Sequence, residues 1–188
     1  MNIVPAVSIS SFEGSKNYDL FSLLLKERIV ILSGEITDEL ATLITSELLY
    51  LNAIAPNEKI IMYINSPGGS VSAGLAIYDM MNYITSPIET IGLGLCASMG
   101  AIILSSGKTR KAHKNCEIMI HQPLGGSNGQ VSDLEIMTNR FLYLKNKLNE
   151  ILAKNTSNPI DKIIKDTDRN YFMNAEEAKK YNLVDEII

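Results

Sequence analysis

The stretch KIIMYINSPGGSVSAGLAIYDMMNYI, residues 59–84, is the part of this chain that decides its fold class. After Lys59 come five apolar residues, a pattern typical of a buried strand. The segment NSPGGS breaks that strand, and a helix is predicted from about Val71 to Ile84, before Ser86-Pro87. A strand that leads through a glycine-rich turn into a helix is the basic unit of α/β domains.

The same alternation continues on both sides of this unit. The apolar run Arg28–Leu32 precedes a helix that is predicted to begin at Thr37-Asp38 and to end before Pro56. Downstream elements are predicted at Ile88–Leu95, Glu117–Ile120, Val131–Lys154, 160–165, Ala175–Tyr181 and 183–188. Strands that alternate with helices predict an α/β fold with largely parallel pairing.

Length and composition restrict the class of protein further. The chain has 188 residues, of which 46% are hydrophobic and 20% charged, so we expect one folded domain and not a disordered chain. Residues 1–17 are interpreted as a mobile N-terminal arm and residues 18–188 as the domain. A formal net charge of −4 argues against nucleic acid as the main partner.

The expected compartment follows from what the sequence lacks. Cys96 and Cys116 form neither a disulfide framework nor a metal cluster, which suits a reducing cytoplasm. The first residues show no signal peptide. The longest nearly uncharged stretch, Ile91–Leu104, is too short for a membrane span. We therefore expect a soluble, cytoplasmic protein without a membrane or metal partner.

The longest predicted helix has more apolar surface than one buried face needs. A helical stripe of this kind usually packs on its own core. Apolar residues off the stripe, however, indicate a second buried face and hence an oligomer. The stripe comprises Leu134, Met137, Phe141, Leu144, Leu148 and Ile151, and the additional apolar residues are Ile136, Leu142, Tyr143 and Leu152.

The segment GLGLCASMG, residues 92–100, places Ser98 between a predicted strand and a small-residue helix. A nucleophilic serine needs such small neighbours, because the substrate must reach its hydroxyl while backbone N–H groups converge nearby. The segment is similar to a nucleophile elbow, although Cys96 stands where the first glycine of that motif is usual. The structural alternative, a helix N-cap, stays open.

The segment Ser66–Ser70 supplies two adjacent glycines between a strand and a helix. Such a turn allows close backbone approach to a ligand. It is interpreted either as a turn with a cap, or as an oxyanion hole or phosphate cradle made of backbone amides. A Walker A loop is excluded, because no Gly-Lys-Ser/Thr follows.

Only two histidines are available as a general base, His113 and His121. His113 lies in the polar stretch KTRKAHKN and is predicted at the surface. His121 ends an apolar strand, where α/β sheets place their sites, so it is the predicted partner of Ser98 if a serine nucleophile is used. A purely structural histidine remains the alternative. No set of His, Cys and carboxylates has metal-ligand spacing.

These stretches together resemble the ClpP family, the proteolytic subunits of the Clp protease, over almost the whole chain. The family is a group of serine peptidases with a crotonase-like α/β spiral of ββα units and a protruding handle, here about residues 122–154. The resemblance implies seven-membered rings stacked in pairs, a tetradecamer, that degrade unfolded polypeptides delivered by an AAA+ ATPase, without a cofactor in the subunit. The matching stretches are Tyr18–Arg28, Tyr63–Asp79, Cys96–Ala101, Met119–Gly126 and Asp166–Ile187.

The resemblance also implies roles for individual residues. Ser98 is the nucleophile and His121 the general base, and the backbone N–H groups of Gly69 and Met99 form the oxyanion hole. The remaining implied residues make polar contacts across the ring interface: Gln130, Asp133 and Arg169.

The third catalytic position departs from the family pattern. The family has Asp-Arg-Asp where this chain has Asp168-Arg169-Asn170. Asn170 can orient the His121 ring but cannot supply the negative charge that stabilises the imidazolium. The corresponding change in a serine protease lowers turnover by about 10⁴-fold, mainly through the wrong tautomer of the histidine. We therefore expect a weakened or conditional peptidase. Asp168 and Asp166 lie nearby in sequence, but their spacing disfavours either of them taking the catalytic role of position 170.

Further departures concern partners. Leu23 stands where an arginine is usual, and His113-Lys114 replaces a Leu-Pro pair near the pockets where the ATPase docks. Docking of an ATPase on this subunit is therefore open, and a mixed assembly with a ClpP paralogue is one solution. The alternative functions are a structural or regulatory ring subunit and, as a distant third, a crotonase-like acyl-CoA enzyme.

Overall fold

The computed structural model describes residues 5–11 and 14–188, and these contain the following elements. The strands are β1 (Ala6–Ser11), β2 (Gly14–Asp19), β3 (Ile29–Ser33), β4 (Ile60–Ser66), β5 (Ile88–Ala97), β6 (Thr109–Ala112), β7 (Glu117–Ile120), β8 (Tyr171–Met173) and β9 (Glu186–Ile187). The helices are α1 (Leu20–Lys26), α2 (Asp38–Ile54), α3 (Val71–Tyr83), α4 (Met99–Leu104), α5 (Val131–Thr156), α6 (Ile160–Asp166) and α7 (Ala175–Lys180).

One seven-stranded sheet organises the domain. Its order is β3-β4-β5-β6-β9, with β7 also beside β5 and β8 beside β7. Every pairing in it is parallel except the antiparallel pairing of β7 with β8. The predicted α/β class with a mostly parallel sheet is confirmed.

Strand β5 changes partner along its length, and this change positions the site. Its first half, from Glu89 to Gly92, pairs with β6, whereas Leu95 to Ala97 pair with β7. Gly94, with a φ of 56°, lies at the change. Since L-residues rarely adopt a positive φ, glycine is the residue that such a bend favours. The second half of β5 therefore delivers Ser98 beside the end of β7.

The core lies between the sheet and the helices that follow its strands. Ile44, Leu48 and Leu51 on α2 are fully buried, which explains the helical spacing of their apolar positions. The Thr37 side chain accepts a hydrogen bond from the Leu40 N–H at 3.2 Å, so the predicted start of this helix is confirmed. Leu104 ends α4 in the same core.

The segment that the sequence indicates as an arm, residues 1–17, contains secondary structure that the pattern did not predict. Strands β1 and β2 pair antiparallel with each other and form a two-stranded sheet separate from the main one. The predicted arm also includes residues 1–4 and 12–13, which lie outside the described residues. Within the described ranges, no helix combines the length and the apolar character that a membrane span requires.

Helix α5 divides into a buried half and an uncovered half. It spans 26 residues, close to its predicted bounds, and buries Leu148 and Ile151 in its C-terminal half. Its N-terminal half leaves apolar side chains in contact with solvent, since Val131 is 82% exposed and Ile136 64% exposed. Of the apolar residues predicted beyond one buried face, Ile136, Leu142 and Tyr143 are exposed on the isolated chain, whereas Leu152 is buried in the core.

Candidate active site

Ser98 lies in a strained turn between β5 and α4. Its backbone has a φ of 55° and a ψ of −122°, a conformation that side-chain-bearing residues adopt at a free-energy cost of about 1–3 kcal/mol and that is concentrated at active sites. Its side chain makes no capping hydrogen bond to the helix that it precedes. Ser98 therefore occupies the N-cap position without acting as a cap, so the structural alternative does not account for this serine.

Two contacts hold the Ser98 turn in place. The Ser98 N–H donates to the Met119 carbonyl of β7 at 2.8 Å. On the other side lies Gly68, with a φ of 94°, where an added Cβ would be 2.6 Å from the Ser98 Cβ and 2.8 Å from the Ala97 oxygen. A side chain at position 68 cannot fit, which explains the glycine in the NSPGGS turn.

The second glycine of that turn, Gly69, pairs with Ile36 in an isolated parallel bridge. The Ile36 N–H donates to the Gly68 carbonyl, and the Ile36 carbonyl accepts from the Ser70 N–H, both at 2.8 Å. Because Ile36 bonds to the residues on either side of Gly69, the N–H of Gly69 itself points away from Ile36. Met99 opens α4, and first-turn amides of a helix have no intrahelical acceptor.

His121 and Asn170 face each other across two neighbouring strands. In the antiparallel pairing of β7 with β8, Ile120 lies opposite Tyr171. The next pair in this register is His121 and Asn170. Directly opposite residues have Cβ atoms about 4.5–5.5 Å apart, so the side chains can interact. The structure thus brings the third predicted residue to the second through main-chain pairing.

The predicted nucleophile, base and third residue line one cavity of about 360 Å³, together with Gly69. Apolar side chains form the rest of its wall, a feature that the sequence analysis did not identify. The helical spacing of those on α5 predicts only a packed core or a subunit contact. The apolar lining includes Val71, Ile102, Met119, Leu124, Leu148 and Leu152.

Two opposing effects act on His121. Partial burial disfavours the imidazolium and lowers the pKa of His121 below its usual 6.5. The Asn170 side chain beside the ring acts in the other direction, with the smaller effect on that pKa. A carboxamide oxygen that accepts from one ring nitrogen leaves the other nitrogen unprotonated in the neutral ring. Because this pKa is lowered, the His121 ring is mostly neutral near pH 7.

The carboxylates near Asn170 are engaged elsewhere. Asp166 accepts a hydrogen bond from the Tyr181 hydroxyl at 2.9 Å and pairs with Lys162. Asp168 lies 3.7 Å from the Lys145 Nζ and 3.6 Å from Arg169. The expectation that neither aspartate replaces Asn170 agrees with these contacts.

The other predicted residues lie outside the cavity. Gln130, Asp133 and Arg169 are exposed on the isolated chain, where their predicted contacts with other subunits stay untested. His113 does not line the cavity and is partly buried, not fully solvated as its polar surroundings indicated. Among the described residues, no group of three or more potential ligands is arranged for a metal ion.

The buried residues Asn149 and Thr167 were also missed. Neither residue lines the cavity, and they hydrogen-bond each other at 2.9 Å. A single asparagine in an apolar helical stripe carries no sequence signal of its own.

Comparison with protein families gives one result that covers nearly the whole chain. A family model described as Clp protease matches residues 12–188. The match includes both strand–turn–helix units of the site, β7 with His121, and the segment that carries Asn170.

Proposed function

Because this chain belongs to the Clp protease family, we propose that it is a serine endopeptidase subunit that cuts unfolded polypeptides, with Ser98 as nucleophile and His121 as general base. The observation that carries this proposal is the strained Ser98 turn, whose residue does not cap its helix and shares a cavity with His121. A serine at an N-cap position that makes no capping hydrogen bond does not stabilise its helix. Backbone strain at such a serine is typical of a nucleophile elbow.

The proposed reaction follows from the positions of these groups. The Ser98 hydroxyl oxygen attacks the substrate carbonyl while its proton passes to the free ring nitrogen of His121. The carbonyl oxygen becomes negative and accepts hydrogen bonds from the N–H groups of Gly69 and Met99. His121 then protonates the leaving amine, and an acyl-enzyme forms. Water, deprotonated by His121, hydrolyses that ester and releases Ser98.

Asn170 sets the rate of this reaction in the proposal. It accepts the ring hydrogen bond and so orients His121, but it carries no charge opposite the imidazolium. The transition state therefore lacks an electrostatic stabilisation that a carboxylate would provide. We infer a peptidase that is weakened, not inactive.

The proposed assembly is that of the family: a crotonase-like spiral of ββα units, with residues 18–188 as one domain and residues 122–154 as a handle between two heptameric rings. The uncovered apolar side chains on the first half of α5 support a subunit contact there. Gln130, Asp133 and Arg169 are the proposed polar contacts. A cytoplasmic location is proposed because the buried cysteines are unpaired thiols.

The proposed partner is an AAA+ Clp ATPase that delivers substrates. Leu23 and the pair His113-Lys114 change the surface on which the family docks that ATPase. We therefore include a ClpP paralogue in the same assembly as a second proposed partner, which would supply docking.

A second function, that of a structural or regulatory ring subunit, is favoured by one observation, the carboxamide at position 170. In that case a paralogue would perform the cleavage.

Labelling with a fluorophosphonate serine probe distinguishes the two functions. The purified protein is read by intact mass beside Ser98→Ala, and its size is measured in the same sample. Labelling that disappears in Ser98→Ala is the result expected for a peptidase. An assembled ring that stays unlabelled would refute the peptidase and favour the structural subunit.

A further inference from the structure

Asn149 is a buried polar residue of α5 that does not itself line the cavity of the candidate site. It lies in α5 between Leu148 and Leu152, both of which line the cavity, and only 3% of it is exposed. Its side-chain nitrogen is buried and has no hydrogen-bond partner among the described residues. An apolar residue would suit this environment better, so packing alone does not explain an asparagine here.

Hydrogen bonds connect Asn149 to both sides of the facing pair His121 and Asn170. The Thr167 hydroxyl donates to the Asn149 side-chain oxygen at 2.9 Å. The Thr167 carbonyl accepts from the Gln122 N–H at 2.6 Å, and the Gln122 side-chain nitrogen donates to the Asp168 carbonyl at 2.7 Å. Gln122 directly follows His121, and Asp168 precedes Asn170 by two residues.

The link between Asn149 and Thr167 is kept in either orientation of the carboxamide. With the oxygen towards Thr167, the hydroxyl donates to Asn149. With the nitrogen there instead, Asn149 donates to the hydroxyl, whose proton goes to the Ile163 carbonyl, 2.8 Å away. In both cases helix α5 is tied to the segment that leads to Asn170.

We propose that Asn149 is a positioning residue for the catalytic pair: through Thr167 and Gln122 it fixes His121 and Asn170 relative to the wall of the substrate cavity formed by α5. This inference rests on the proposed peptidase function. Its physical basis is that a displacement of about 1 Å in a catalytic constellation lowers the rate by as much as about 10²-fold. The substrate contacts on the cavity wall are unchanged by the loss of the link.

The test uses variants that separate position from stability. Thr167→Val and Asn149→Leu each remove one side of the link, and Thr167→Ser keeps the hydroxyl. The double variant replaces both polar partners by apolar groups, which is close to neutral for stability. Thr156→Val is the matched control. Thr156 ends α5 and, like Thr167 at the end of α6, is a buried threonine whose hydroxyl donates to a carbonyl four residues earlier, at 2.7 Å.

Two measurements are made on the full-length protein. The first is hydrolysis of a fluorogenic peptide, resolved into kcat and KM, beside urea unfolding of each variant. The second is the pH dependence of His121 modification by diethyl pyrocarbonate, which reacts with neutral imidazole, with His113 in the same digest as an internal reference. The second measurement needs no catalytic activity.

We expect each single variant to lower kcat by about 10–10²-fold at unchanged KM. The double variant should be more stable than the single variants but should not regain kcat, and the effects of the two single substitutions on kcat should not add. Thr167→Ser, which keeps the hydroxyl, should retain the rate of the unmodified protein. The midpoint of His121 modification should move to lower pH in Thr167→Val, because the bond from Asn170 that favours the imidazolium is loosened. Thr156→Val should change neither measurement.

A double variant that regains kcat together with stability would overturn the proposal, as would an unmoved His121 midpoint in Thr167→Val. A moved midpoint in a protein that no fluorophosphonate labels would support the positioning role and refute the peptidase. Fluorophosphonate labelling together with an unmoved midpoint of His121 modification would support the peptidase and refute the positioning role.

Discussion

Replacement of Asn170 by aspartate tests the electrostatic part of the site in isolation. The carboxylate has nearly the shape of the carboxamide, and the pairing of β7 with β8 ends at Ile120 and Tyr171, the neighbours of His121 and Asn170. Asn170→Asp therefore adds a negative charge beside the imidazolium with little change in geometry. We expect it to raise kcat.

The magnitude follows from the register of the two strands. Cβ atoms of directly opposite residues are about 4.5–5.5 Å apart, which places the added charge about 4 Å from the ring. Such an ion pair contributes about 1 kcal/mol in bulk water and about 4 kcal/mol at an effective dielectric constant of about 20. These limits correspond to roughly fivefold and roughly 10³-fold in rate. Because Asn170 is exposed on the isolated chain, we expect about 10–10²-fold.

The assay is steady-state hydrolysis of a fluorogenic peptide, measured well above the pKa of His121 so that both proteins contain the neutral base. Ser98→Ala gives the background, and Asn170→Ala removes the hydrogen bond without adding charge. The new carboxylate should also raise the pKa of His121 and move the acid limb of the pH profile upward. Equal rates for the unmodified protein and the Asn170→Asp variant, with the acid limb moved as expected, would refute the view that a missing charge limits this enzyme.

Four further results are expected. Since burial lowers the pKa of His121, the peptidase rate should fall on acidification with a midpoint below pH 6.5, and a midpoint above that value would contradict the neutral-base assignment. Gly68→Ala should lower fluorophosphonate labelling by about 10²-fold, because the added Cβ would lie 2.6 Å from the Ser98 Cβ. Gly34→Ala is the control and should leave labelling unchanged, since Gly34 also has a positive φ but an added Cβ there would have nothing within 4 Å. Arg110→Ala should lower the free energy of unfolding by about 2–3 kcal/mol in urea titrations, since the buried guanidinium binds Asp185 and two carbonyls, and a loss under about 1 kcal/mol would contradict this. The hydrogen bond from Arg110 lowers the pKa of Asp185. The stabilisation of the folded state by this carboxylate should therefore be present above about pH 4 and lost as the pH falls through the lowered pKa, and Tm measured against pH tests this.

The parts of the site that the sequence predicted are those encoded by neighbours along the chain. The strand, small-residue turn and helix around Ser98 have local signals, namely an apolar run and the glycines that follow. His121 was identifiable because it ends a short apolar strand and because histidine is scarce. The start of α2 at Thr37 was predictable for the same reason, since a cap and its helix are adjacent in sequence.

The parts that the sequence did not predict depend on pairing between distant segments. Strand β8 has three residues, two of them exposed, and becomes a strand only because it pairs with β7, about fifty residues earlier. Strand β6 reads TRKA, which shows no strand pattern, and is placed by β5 and β9. Such strands are set by tertiary context, which outweighs local propensity. The link between Asn149 and Thr167 was missed because it joins two segments that are distant along the chain.

The antiparallel ladder of β7 with β8 has an evolutionary consequence. Because the strand pairing that ends at Tyr171 places position 170 without using its side chain, the scaffold accepts asparagine or aspartate there alike, and codons for the two differ by one base. A duplicated gene can therefore change the charge at this position in one copy while both copies keep the same fold. If two such copies assemble in one ring, as proposed above, selection can change the number of fully active subunits without changing the architecture of the ring.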